Sequence, residues 1–419
     1  MKKQISKKRF VLSGLALSLA ISLSANAESI WSQDNLTGSW GGARTNLENK
    51  GYGFEFAYVT DVMSNLSGGA AKGTERLDNV DLVFNLDAGK AFGMNGVSAS
   101  FYFIGNTGGS PTDHVGDMQG VSNIDADNTF KLYEAWIETN FLDDALSFRL
   151  GLYDLNSEFD VMETAGLFLN SSHGIGPDFA QSGENGPSIF PTTSLGFRAV
   201  YKLTPTMYAQ GVVLDGVAGD PNNPNGTQVK LGANDGLLVS GEMGFATDPE
   251  DKGTAYTKFA VGSWYYTQSM ATNSLGSAIT PQNNSGYYAV AERKLFSESG
   301  SGEQGLSGFA RFGMANDSLN AIDYYYSVGF VYSGLIPGRN KDQFGFAVAN
   351  AHTSQLVYDA LSASSFNPSG QETNIEVTYR LELTPWMVVQ PDLQYVVTPS
   401  ARQSIANALV VGSRFELVF

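Results

Sequence analysis

The chain contains no cysteine at all. That excludes disulfide staples and thiolate metal sites, so a protein of 419 residues must draw its stability from elsewhere. Histidine is almost as scarce, with only His114, His173 and His352. Charge is thin too, at 16% Asp, Glu, Lys and Arg against roughly 25% in soluble proteins. What charge there is leans acidic, 42 acidic against 25 basic residues for a net −17. This disfavours nucleic acid and anionic lipid headgroups as partners, since both reward clustered Lys and Arg.

Long apolar runs are missing as well, apart from one near the start. Lys2, Lys3, Lys7, Lys8 and Arg9 lead into an apolar stretch from Phe10 to Leu23, then Ala25-Asn26-Ala27. The order is that of a secretory signal, and cleavage is expected after Ala27. A retained membrane anchor would need about 20 apolar residues. Loss of the segment's five positive charges takes the net charge from −17 to −22. Beyond it no stretch of roughly 18 uncharged apolar residues occurs, which excludes spanning helices.

What the chain has in plenty is glycine, 47 residues, and aromatics at 12%. Little charge with much Gly, Tyr and Phe suits a sheet with one face in lipid. In lipid every backbone N–H and C=O must be paired internally, so such a sheet has to close on itself.

Segments of about ten residues with period-2 alternation, bounded by Gly, Pro, Asn or Asp, carry the transmembrane-strand signature. In 407–419, Leu409, Val411, Phe415, Leu417 and Phe419 share one face and Gly412, Arg414 and Glu416 the other. Phe54, Phe56 and Tyr58 face out with Glu55 and Asp61 in; Leu82, Phe84 and Leu86 face out with Asp81, Asn85 and Asp87 in. Strands are predicted near 52–62, 80–88, 96–104, 130–140, 145–153, 193–202, 206–214, 235–245, 255–266, 286–295, 305–314, 322–333, 342–352, 371–383, 386–397 and 407–419. The expected fold is therefore all-β, a sixteen-stranded antiparallel transmembrane barrel over 52–419. Short links at 141–144, 203–205 and 384–385 alternate with long ones at 63–79, 105–129, 154–192 and 215–234, an asymmetry that puts both termini in the periplasm. Residues 28–51 form an amino-terminal periplasmic segment, in which Gly41 to Lys50 fit a short helix anchored by Leu47 and capped by Gly51.

With the barrel drawn from alternation, several stretches resemble the OprB family of carbohydrate-selective porins across nearly the whole mature chain. They are LTGSWGGAR (36–44) with Leu47 and Gly51, LYEAWIE (132–138), RLGLYDLNSEF (149–159), SIFPTTSLGFR (188–198), GLIPGR (334–339), EVTYRLELTPW (376–386) and QPDLQY (390–395). The resemblance implies a sixteen-stranded outer-membrane channel that favours monosaccharides such as glucose, with no energy coupling. Two positions depart from the family pattern: Ser39 stands where an acidic residue is usual, and His173 where an aromatic is expected.

A neutral sugar crossing a pore needs polar groups to replace its hydration shell, a flat apolar face to lie on, and binding weak enough to release it. Alternation puts Glu134, Trp136 and Glu138 on one lumenal row with Arg149 on the next strand. Arg198, Glu242, Glu292, Arg311, Glu376, Arg380, Gln390, Asp392, Gln394, Arg414 and Glu416 are inward as well. The predicted pore-lining set is Glu134, Trp136, Glu138, Arg149, Glu158, Arg198, Glu376, Arg380, Asp392 and Arg414. Taken singly, each charged member reads more readily as a structural ion pair, because such networks mimic sites; as a set they are expected to include the constriction. Segment 154–192, with Glu158, Asp160, Glu163, His173, Asp178 and Glu184, is long enough to fold into the barrel and equally able to stay outside.

Other classes find little support. Ser171, Ser172 and His173 are neighbours in sequence, but a Ser-His site is defined by three-dimensional roles and not adjacency. An outer-membrane hydrolase would need Ser and His on the lipid-facing wall, where these histidines do not fall. The DADN run at 125–128 lacks the Gly and distal Glu of an EF-hand. Adhesins would use long aromatic-rich loops, whereas these are rich in Gly and Asn. No cofactor or metal is expected. Small neutral sugars, outer-membrane lipid with lipopolysaccharide, and the barrel-insertion machinery are the expected partners, homo-oligomerisation is left open, and a general diffusion porin is the nearest rival.

Overall fold

A computed structural model describes residues 30–220, 222–223, 225–247, 255–298, 304–364 and 366–419. The expected signal peptide lies outside the described residues. Sixteen strands close into one antiparallel barrel in which each pairs with its sequence neighbours and the first pairs with the last. They are β1 (Tyr52–Ser67), β2 (Gly73–Asp87), β3 (Val97–Gly108), β4 (Thr129–Phe141), β5 (Leu146–Tyr153) and β6 (Ser194–Lys202). The series continues with β7 (Met207–Asp215), β8 (Leu237–Ala246), β9 (Thr257–Thr272), β10 (Ala278–Ser297) and β11 (Gly305–Ala315). It ends with β12 (Ile322–Ser333), β13 (Gln343–Thr353), β14 (Gln371–Thr384), β15 (Met387–Val397) and β16 (Ala408–Val418).

Closure runs through Ala57↔Val418, Thr60↔Phe415 and Asp61↔Arg414, which leaves no unpaired edge. The seam is overlaid by the amino-terminal segment, whose helix α1 (Ala43–Asn49) falls where the sequence puts one. Arg44 is buried and donates to the backbone oxygens of Phe419 (2.6 Å), Phe54 (3.3 Å) and Gly38 (3.3 Å). Leu36 N–H donates to Val418 O at 2.8 Å, and Trp31 stacks on Trp386 with ring centroids 6.2 Å apart. One segment thus touches both sides of the closing pair.

Two connections differ from expectation. The link expected at 63–79 shrinks to residues 68–72, because β1 and β2 continue their alternation up to a turn in which Asn65 Nδ2 donates to Gly68 O (2.9 Å) and Ala71 O (2.7 Å). Residues 267–285, expected to be mostly a connection, are mostly strand in an elongated β9–β10 hairpin. A spanning strand needs about 9–11 residues, so this hairpin rises beyond the wall on the end bearing the long connections. That end faces the cell exterior in outer-membrane barrels.

The lumen is far from empty. Segment 154–193 folds inward and buries Phe159, Phe168 and Phe179 against inward residues of β8 to β13, with Phe179 stacked on Trp264 at 5.0 Å and 4°. Segment 109–128, a long connection at the same end, packs Val115 and Val121 against Met63, Leu77, Val396 and Val410. Inward positions of β8 to β15 are mostly covered, while Tyr102, Trp136, Glu138 and Arg149 on β3 to β5 keep partial exposure.

Candidate functional site

Register brings the charged rows together. Glu138 on β4 faces Arg149 on β5, and Arg149 faces Arg198 on β6. Two arginines directly opposed across a strand pair repel unless anions flank them. Glu138 and Glu158 are those anions. Arg149 Nε donates to Glu138 Oε2 at 2.9 Å, and Arg198 donates to Glu158 through Nε (2.8 Å) and Nη2 (2.9 Å). Arg198 also bonds Glu138, and Arg149 lies 3.6 Å from Glu158. Glu158 comes from the infolded segment, so two guanidinium and two carboxylate groups form a closed set between wall and loop.

An aromatic face completes it. The Arg149 guanidinium lies 3.9 Å over the Trp136 ring and 5.2 Å from Tyr153, a geometry worth about 2 kcal/mol when shielded from water. Trp136 Nε1 donates to Glu134 Oε2 at 2.9 Å, and Glu134 Oε1 accepts from Asp154 N at 2.9 Å. The indole has room because Gly151 sits opposite it: a Cβ there would come within 2.8 Å of Trp136 Cβ, and its φ of +148° is one that side chains rarely adopt. Asp154 accepts from Tyr133 Oη at 2.7 Å. Burial pushes its carboxyl up to about 7, helped by the neighbouring Glu134 charge.

Six of the ten predicted residues, Glu134, Trp136, Glu138, Arg149, Glu158 and Arg198, are gathered in this one patch. The other four lie elsewhere. Arg380 and Glu416 pair at 3.1 Å, each about a quarter exposed, on the opposite wall. Glu376 is fully buried and accepts from the backbone N–H groups of Leu169 (2.6 Å) and Asn170 (3.1 Å). Asp392 is buried beside it and accepts from Gln394 Nε2 at 2.9 Å. Arg414 clamps Asp61 through two bonds of 2.8 Å and reaches Asn123 at 2.6 Å.

Those buried groups show how the infolded segment is held. Glu242 accepts from Asp160 N (3.0 Å), and Glu292 from Glu163 N (3.1 Å) and Thr164 N (2.8 Å). Arg311 grips Asp160 at 2.6 Å and Asp178 at 2.7 Å. Inward carboxylates on β8, β10 and β14 thus each receive loop backbone. Alternation placed them inward, but nothing in one sequence says that a loop occupies the space before them.

Several site residues escaped sequence reasoning. Tyr133 turns inward next to Glu134 because a bulge shifts the β3–β4 register at Tyr102/Phe103. Tyr102, whose hydroxyl donates to Asp81 at 2.8 Å, and Asp154 were passed over, although Tyr102 lies on an inward row. His173 is sealed between Phe168 (4.9 Å) and Phe309 (5.8 Å), with neither ring nitrogen hydrogen-bonded, and burial drives its pKa down to about 3. It is not a catalytic base. Among the described residues no group of three His, Cys, Asp or Glu could hold a metal ion.

A closed barrel narrowed by an inward loop and lined with paired charges and an aromatic face defines a porin, a channel of the bacterial outer membrane. The sequence profile of the carbohydrate-selective porin, OprB family matches residues 71–419, and the chain belongs to that family. It is similar to Porin B of Pseudomonas aeruginosa, 25% identical over 98% of this chain and 96% of that protein. It is also similar to the putative porin QuiX of Acinetobacter baylyi, 23% identical over 94% and 95% respectively. The high-pH structure of Pseudomonas putida OprB superposes with a TM-score of 0.82 at 24% identity, covering 94% of this chain and all of that one. These relatives are channels and not enzymes.

Proposed function

We propose that the chain lets small neutral sugars of monosaccharide size, glucose-like in shape, diffuse passively through a constriction formed by Trp136, Glu134, Glu138, Arg149, Glu158 and Arg198. One observation carries this reading. Arg149 lies over the Trp136 ring and is pinned by Glu138, which gathers hydrogen-bond donors and acceptors against aromatic surface. A pyranose has the complementary form, an apolar C–H face bordered by hydroxyls. With three carboxylates against two guanidinium groups, most of the charge in the patch is paired and the remainder leans toward cations. Beyond it lies a recess of 500 Å³ whose lining includes Ser157, Tyr208, Gln210, Tyr256 and Lys258, a polar exit consistent with weak, stepwise release. Export with cleavage after Ala27 belongs to the same proposal.

Liposome swelling with refolded protein tests it. Glucose is expected to enter faster than amino acids and small anions of matched size, and Trp136→Ala or Arg149→Ala to reduce the glucose rate about tenfold, the equivalent of roughly 1.4 kcal/mol. Entry ordered by size alone would make the protein a general diffusion porin.

A further inference from the structure

A second recess, of 290 Å³, lies nearer the exterior end, between the start of β4 and the arm by which the infolded segment returns to β6. Asp127, Thr129 and Lys131 line it from the barrel side, Asn185, Phe190 and Thr192 from the returning arm, with two prolines beside them. Its volume is at the lower bound for small-molecule pockets, so the occupant is a single ring.

The chemistry of the lining is specific. Lys131 is buried, and its Nζ crosses from wall to loop to donate to Thr192 Oγ1 at 3.1 Å, which fixes the ammonium in the lining that Phe190 shares. Asp127 and Asn185 are exposed at the rim. Donors and acceptors around an apolar floor repeat, with different residues, the pattern of the constriction. The two places are also joined. Phe190 meets Tyr133 edge-on at 6.2 Å, the Tyr133 hydroxyl bonds Asp154, and Asp154 N–H bonds the same Glu134 that orients Trp136.

We infer that this outer recess is a capture subsite, in which one pyranose ring lies on Phe190 with its hydroxyls toward Asp127, Lys131 and Asn185 before it passes to the constriction. The inference rests on the sugar reading proposed above. A subsite on one side of a constriction speeds entry from that side only.

Single-channel current in planar bilayers, with glucose added to one side at a time, separates the two. Glucose is expected to interrupt the current of the wild-type channel. Phe190→Ala and, as a change that leaves the fold alone, Asp127→Asn are expected to lower the association rate from the exterior side about fivefold and leave association from the periplasmic side as in wild type. Wild-type rates from both sides in both variants would overturn the capture subsite and leave the constriction standing. Equal losses from both sides would also overturn it, by making Phe190 a support for the constriction. If glucose never interrupts the wild-type current, the constriction reading fails and this inference with it.

Discussion

Asp154 stands where the chain leaves β5, and its position makes the channel sensitive to pH. Its carboxyl is held up at about 7 first by burial and then by Glu134, while Tyr133 and Asn156 N–H donate to it. An unfolded Asp titrates near ~3.9, so the native state binds this proton more tightly than the unfolded chain does. The sign follows: native stability is not penalised below the ordinary value and declines as pH rises through about 7. Ionisation also adds one negative charge next to Glu134, the carboxylate that bonds Trp136. Reversal potentials in a salt gradient should therefore move toward cation preference between about pH 6 and about pH 8, and Asp154→Asn should flatten that change; a titration untouched by the substitution would place its source elsewhere. At this scale the sequence was informative wherever strict alternation held. Trp136, Glu138 and Arg149 were legible from parity alone, whereas the bulge breaks parity and hid Tyr133 itself. The His173 position invited an aromatic, and two Phe rings do enclose it.

The element that shapes the passage is the infolded segment 154–193, and its hold on the wall is divided between polar and apolar contacts. Hydrogen bonds to charged groups contribute about 1.5–3 kcal/mol each. Replacing Glu242 and Glu376 together by Ala removes the carboxylates that receive Asp160, Leu169 and Asn170. The double variant should conduct better and admit larger sugars in swelling assays. Unchanged conductance would mean that the remaining contacts, Arg311 with Asp160 and Asp178, Glu292 with Glu163 and Thr164, and Phe179 stacked on Trp264, hold the loop without them. The strands themselves were readable because lipid imposes one apolar face over about ten residues. That constraint ends at the membrane surface, which is why the outer parts of β9 and β10, with runs such as Thr267-Gln268-Ser269, read as loop. Whether a long segment turns in or out depends on partners distant in sequence, and no local pattern records them.

Across the whole molecule, closure rests on a seam between the first and last strands with the amino-terminal segment laid over it. Arg44 satisfies three backbone oxygens from different parts of the chain, among them Phe54 in β1 and Phe419 just past β16. Arg44→Ala should cost about 1–3 kcal/mol and lower the denaturant midpoint, with Arg44→Lys recovering only part, because a point-charge ammonium lacks the planar fork. In a variant that keeps only Trp31 and Trp386 of the five tryptophans, intrinsic fluorescence offers a local reading of the same event. The other end of the barrel offers a different use. The turn of the β9–β10 hairpin holds Leu275 in the open, and Ser274 N–H donates to Leu319 O at 2.8 Å, which steadies it. In a chain without a native thiol, Leu275→Cys creates a single chemical handle, through which a fluorophore or a solid support can be attached to the channel without touching the path that its solute takes.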